Sequence, residues 1–200
     1  MSAASPVAEA DLDRARELAS IGAGHAANAL AQLTGRTCEM RVPTVRREGA
    51  GGPAGEHGMA GVLFEVEGGP GGVLALLFPA ATCQHLLARL LGSACALDSP
   101  VARSALCEVG NILVSHAANA LGETLGVTML PSIPMLALED ARVALAALLA
   151  RRGPERPDLR IESEICDRAR ELCSVFVFVP DRLRAPAPRP RARVAPAGGF

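Results

Sequence analysis

The chain has 200 residues, half of them hydrophobic, and a formal net charge of −1. That composition suits one domain with a sizeable core and argues against a nucleic-acid binder, which needs a basic face. No apolar stretch reaches the roughly 18 residues of a membrane helix, and the start, MSAASPVAEADLDRARE, has no run fit for a secretory signal, so a cytoplasmic protein without membrane insertion is expected. All twenty basic residues are Arg, which excludes any mechanism that draws a lysine from this chain. The cysteines, Cys38, Cys83, Cys95, Cys107, Cys166 and Cys173, form no C-x-x-C pair and no zinc spacing with His. They are expected to be buried reduced thiols, and no metal site is expected.

Residues 1–10 read as a flexible N-terminus. From Asp11 to about Thr34 helix formers dominate, and Gly35 is a plausible stop. Thr37 to Val45 reads as a strand and Gly49 to Gly58 as a Gly-rich loop. Val62, Phe64 and Val66 alternate like a strand; Gly68 to Gly72 is a turn, and Val73 to Phe78 is an apolar run of strand length. A helix follows from about Ala80 to Leu91. The second half restarts at Asp98, an expected N-cap before Pro100, with a long helix to about Leu125 and Gly126 as its stop. Thr128 to Ile133 reads as a strand, Met135 to Ala150 as an apolar helix, and Leu159 to Ile165 and Ser174 to Val179 as strands. The end, RLRAPAPRPRARVAPAGGF, is Pro- and Arg-rich without an apolar period, and residues 182–200 read as a disordered tail.

The hexapeptide HAANAL occurs twice, at His25–Leu30 and His116–Leu121, an offset of 91. The same shift lays Glu17 on Glu108, Ile21 on Ile112, Gly35 on Gly126 and Pro43 on Pro134. An internal duplication follows: one domain over residues 11–181, built from similar halves at 11–92 and 98–181. On a helical wheel Leu106, Val109, Leu113, Ala117, Ala120 and Leu121 gather on one side. Ser104, Glu108, Asn111 and Ser115 lie nearly opposite, and the first three stand at i, i+4 and i+7 on one stripe. The first helix carries Asp13, Glu17 and Ser20 on the matching stripe. The small residues of HAANAL allow two helices to approach closely; His25 and His116 are expected to pack or hydrogen-bond at that helix pair. IGAGHA lies inside a helix pattern, without the strand and spacing of a nucleotide loop.

The spacing Ser104, Glu108, Asn111, Pro134 resembles the signature of the CheC family of chemotaxis phosphatases, which includes CheX and FliY. EVGNILVSHAANALGETLGVTMLPSIP looks like the second CheC motif and RELASIGAGHAANALAQLTG like the first. The resemblance implies an α+β fold with pseudo-twofold symmetry, in which two long adjacent helices pack on an antiparallel sheet of about six strands. It implies hydrolysis of the aspartyl phosphate of a CheY-type response regulator, with Mg²⁺ supplied by that partner and no cofactor of the chain's own. By resemblance Asn111 orients the attacking water and Glu108 pairs with a lysine of the partner. Pro134 shapes the chain after the helix, and Ser104 supports the motif. The first half keeps Asp13, Glu17 and Pro43 but has Ser20 where Asn is expected, so its site is expected to be impaired. A monomer is expected. The competing reading is an adaptor that binds the receptor deamidase CheD, or phospho-CheY, with little catalysis.

Overall fold

The computed structural model describes residues 9–46, 58–153 and 159–182. Most of the expected Gly-rich loop, the first eight residues and all but the first residue of the expected tail lie outside them. The first helix, α1, spans Glu9–Thr34, so it begins two residues before the expected boundary. Then come β1 (Cys38–Met40), β2 (Thr44–Arg46), β3 (Met59–Glu67), β4 (Gly72–Pro79) and α2 (Ala80–Leu91). The second half has α3 (Pro100–Leu125), β5 (Leu130–Pro131), β6 (Met135–Ala137), α4 (Ala141–Arg151), β7 (Arg160–Asp167) and β8 (Cys173–Val179).

Local chemistry sets the helix ends. Ser99, rather than the expected Asp98, caps α3: its side chain accepts from the Ala102 amide, and Pro100 occupies the first turn, where a missing N–H costs nothing. Gly35 and Gly126 follow α1 and α3 at φ +65°, in the left-handed region where a Cβ is unfavourable. Two expectations need correcting. The expected strand over 128–133 shrinks to Leu130–Pro131, and the apolar run from Met135 is not helical at its start: Met135–Ala137 is strand, and α4 begins at Ala141.

Among the described residues all strands form one antiparallel sheet, along the path β1-β7-β8-β4-β3-β5, with β2 also on β7 and β6 also on β3. The eight strands thus fill six positions, because each edge is split into two short pieces. The order is symmetric about the β4–β8 pair, as a duplication requires. Each half gives its split edge to the other: β1 and β2 pair with β7, while β5 and β6 pair with β3. The helices are exchanged too. α1 packs on β7 and β8, and α3 on β3 and β4.

The sheet is covered on both faces, which is why β4 (GVLALLFP) and β8 (CSVFVFV) are apolar almost throughout. On one face α1, α2 and α3 enclose Val62, Phe64, Leu74, Leu76, Phe176 and Phe178. On the other, Leu145, Leu148 and Leu149 of α4 meet Leu63, Ala75, Leu77 and Val177. Four of the five phenylalanines, Phe64, Phe78, Phe176 and Phe178, are fully buried, each contributing about 1.5–3 kcal/mol.

Candidate functional site

The long helices α1 and α3 pack against each other over one face of the sheet. The two copies of HAANAL have the same exposure pattern: His and Asn face out, while both first alanines and the closing Ala-Leu are buried. The alanines and leucines therefore do the packing. His25 and His116 are exposed, which corrects their expected place between the helices.

That packing rolls the predicted stripe of α3 outward. Leu106, Val109, Leu113, Ala117, Ala120 and Leu121 are all buried, whereas Ser104, Glu108 and Asn111 are exposed and Ser115 half-buried. Among the described residues no hydrogen bond or ion pair engages the side chains of Glu108 and Asn111. Both are free to meet another molecule, one as a carboxylate acceptor, the other as a carboxamide that donates and accepts.

Gly110, between these two residues, is a position the wheel did not single out. A Cβ there would lie 2.7 Å from both Cβ and Cγ1 of Val62, so only glycine lets α3 sit this close to β3. Val62 in turn pairs with Leu136, two residues after Pro134. A chain of contacts thus brings the Pro134 segment beside the turn that carries Asn111. The sequence signal was available: a glycine inside a helical pattern costs about 1 kcal/mol against alanine and implies a packing reason.

The first half builds the same frame around different side chains. Asp13 and Glu17 are exposed and Ser20 half-buried. The Asp13 carboxylate is held by Arg16 at 2.6 Å, a pair without a counterpart in the second half, where the matching residues are Ser104 and Cys107. Pro43 is buried and Pro134 half-buried. Only the second half presents a carboxamide on the stripe at this position.

Elsewhere, β7 and β8 set Cys166 directly opposite Cys173, and the two form a disulfide. This corrects the expectation of reduced thiols for that pair; a spacing of seven residues carries no motif, and the strand register brings them together. Among the described residues the one group of three potential metal ligands is Glu164, Cys166 and Cys173, and its sulfurs are bonded to each other. Cys83 is a buried free thiol, pushed up to about 11 by burial, and so is unreactive at neutral pH. Next to the disulfide, Asp167 is buried; it accepts from the Leu172 amide and from Arg36, which also holds Glu171. Burial alone would raise the Asp167 carboxyl, but these donors together hold it below the usual range.

Known proteins resemble this chain in sequence segments and in fold. The CheC-like family model matches residues 16–47 and 101–136, segments that contain Glu17, Ser20 and Pro43 in one half and Ser104, Glu108, Asn111 and Pro134 in the other. The CheY-P phosphatase CheC of Bacillus subtilis (strain 168) is 29% identical over 154 residues, 70% of this chain and 71% of that protein. In fold, Thermotoga maritima FliY aligns with a TM-score of 0.64 at 17% identity, covering 89% of this chain and 94% of FliY. A chain of the CheX–CheY–BeF3–Mg²⁺ complex from Borrelia burgdorferi aligns at 0.59 and 13% identity, covering 80% and 96%. In the two matched segments, in its likeness to the relative in B. subtilis and in its architecture, this chain is similar to CheC-like proteins.

Proposed function

We propose that this protein hydrolyses the aspartyl phosphate of a CheY-type response regulator, using Glu108 and Asn111 of α3. The observation that carries the reading is that these two side chains stand exposed and, among the described residues, unpartnered, at CheC-motif spacing, inside a segment that matches the family model. Phosphoryl transfer needs positioning and charge stabilisation more than covalent help from the protein. The regulator brings the acyl phosphate and its Mg²⁺. Asn111 then enters beside the phosphoryl group, accepts a hydrogen bond from a water and holds it in line with phosphorus. Glu108 binds a cation of the regulator and sets the register of the docked helix. Ser104 and Pro134 support the stripe and the turn beside it.

In the first half, Ser20 offers a shorter arm with one donor, and Asp13 is engaged by Arg16. That half is read as silent in catalysis. The same two features favour a second reading, an adaptor that binds CheD or the phosphorylated regulator without accelerating phosphate loss. Phosphate release from a panel of phosphorylated receiver domains, with and without the protein, decides between them. Acceleration with at least one receiver supports the phosphatase; binding without acceleration supports the adaptor.

A further inference from the structure

We propose that Ile133 is an apolar contact that seats the phosphorylated regulator beside Glu108 and Asn111; the inference rests on the phosphatase reading above. Ile133 is 87% exposed, the most exposed large hydrophobic residue among those described. One exposed aliphatic side chain is ordinary. Its recurrence is not. At the offset of 91 lies Val42, which is 84% exposed. Both are β-branched aliphatics directly before a motif proline, although the residues preceding them, Ser132 and Arg41, differ.

Both are held out by the same backbone device. In the second half the Ser132 amide donates to the Glu65 carbonyl at 2.8 Å, and in the first the Arg41 amide donates to the Glu164 carbonyl at 2.8 Å. The second half adds more. The Ser132 hydroxyl accepts from the Glu65 amide at 3.1 Å and donates to the Ile133 carbonyl at 3.0 Å. Pro134 restricts the backbone of Ile133 to extended conformations, and the β-branch restricts its χ1. The backbone and χ1 of Ile133 are thus restricted before any partner arrives, so less conformational entropy is lost when it is covered.

Its position fits the site. Two contacts bracket the chain returning along α3: a Cβ on Gly122 would lie 2.6 Å from the Val127 carbonyl oxygen, and Gly110 sits on Val62, the partner of Leu136. Ile133 lies between these points, on the stretch running beside the turns that follow Asn111. A docked protein covers about 800 Å² of each partner, a patch roughly 30 Å across, which takes in both. At the other end of the stripe Val101 is 59% exposed, where the first half has Ala10. Val101 at one end of the stripe and Ile133 on the segment beside it thus add exposed apolar side chains to the surface that carries the Glu108 carboxylate and the Asn111 amide. The occupant is a receiver domain whose surface beside the phosphorylated aspartate offers an apolar recess.

The test uses the full-length protein and the panel of phosphorylated receivers. For the receiver that the unmodified protein dephosphorylates, Ile133→Ser should raise KM about tenfold with kcat within twofold. It should also weaken binding of that receiver's beryllofluoride-locked form about tenfold. Ile133→Leu should stay close to the unmodified protein, and Val42→Ser should leave both parameters unchanged. A loss of kcat at constant KM, or wild-type KM for Ile133→Ser, overturns the inference and leaves the phosphatase reading standing. If the unmodified protein neither binds nor dephosphorylates any receiver, both fall together. If it dimerises by sedimentation and Ile133→Ser makes it monomeric, the surface belongs to a second copy and the inference is overturned.

Discussion

Asn111 lies opposite the core of α3, so replacing it separates chemistry from folding. Asn111→Ala should leave stability within about 0.5 kcal/mol, as surface changes do, and lower kcat on the phosphorylated regulator by about a hundredfold or more, since the in-line water loses its orientation. Unchanged turnover in Asn111→Ala would remove the catalytic assignment. Glu108→Ala should weaken docking as well as rate, visible as a higher KM for the regulator. Ser20→Ala tests the opposite expectation: turnover should stay within twofold, and a large loss would show that the first half works. At this scale the sequence was informative, because a wheel and a spacing place Ser104, Glu108 and Asn111 on one stripe. It could not show that Arg16 engages Asp13, nor that His25 and His116 face solvent, because the roll of each helix depends on what it packs against.

At the scale of elements, the turn of α3 that carries the proposed site is positioned by a close approach. Gly110→Ala would drive a methyl to 2.7 Å from Val62, whose branched Cβ has no room to retreat. Overpacking of this kind costs about 1–3 kcal/mol. The expected result is a lower thermal midpoint together with lower kcat, as Asn111 shifts relative to the Pro134 segment; unchanged values would show that the approach is not strict. A second prediction concerns the β7–β8 hairpin and the end of α1, joined by Arg36, Asp167 and the Leu172 amide. Because the folded carboxyl of Asp167 titrates lower than in the unfolded chain, its stabilising effect is complete above about pH 4 and fades as pH falls through the folded value. Asp167→Asn should therefore cost about 2 kcal/mol near pH 7, the range of hydrogen bonds to charged groups. The gap to the unmodified protein should narrow in acid, as followed by thermal melts between pH 7 and 3. A gap independent of pH would contradict this. The long helices and long strands were legible from periodicity, whereas β5 and β6 were not. Strands of two or three residues fall below any periodic window, and an apolar run such as Met135 to Ala150 reads equally as helix or strand.

At the scale of the molecule, the halves are interleaved rather than adjacent. α1 rests on strands of the second half and α3 on strands of the first, and each half completes the other's sheet edge. Neither half can bury its own apolar face alone. Residues 9–92 or 98–181 expressed separately should therefore show no cooperative unfolding as monomers, whereas the whole chain should unfold in one transition. Circular dichroism melts and sedimentation of the fragments check this, and a cooperative monomeric fragment would overturn it. The two stripes can diverge within such a frame, since Asn111 is exposed and Ser20 only half-buried, so that a change at either alters little of the packing beneath.

The sequence by itself determined the duplication, the two long helices with their glycine stops, the buried and exposed faces of α3, and the motif spacing that resembles the CheC signature. These are local or periodic properties, written every three to four residues along a helix or repeated at a fixed offset. Only the tertiary structure decided the exchange of edges and helices between halves, the pairing of Cys166 with Cys173, the approach of Gly110 to Val62 and the outward hold on Ile133. Each of these depends on strand register and interaxial distance between segments far apart in the chain. Those quantities are set by how side chains from both halves fill one shared core, and no stretch of sequence carries them alone.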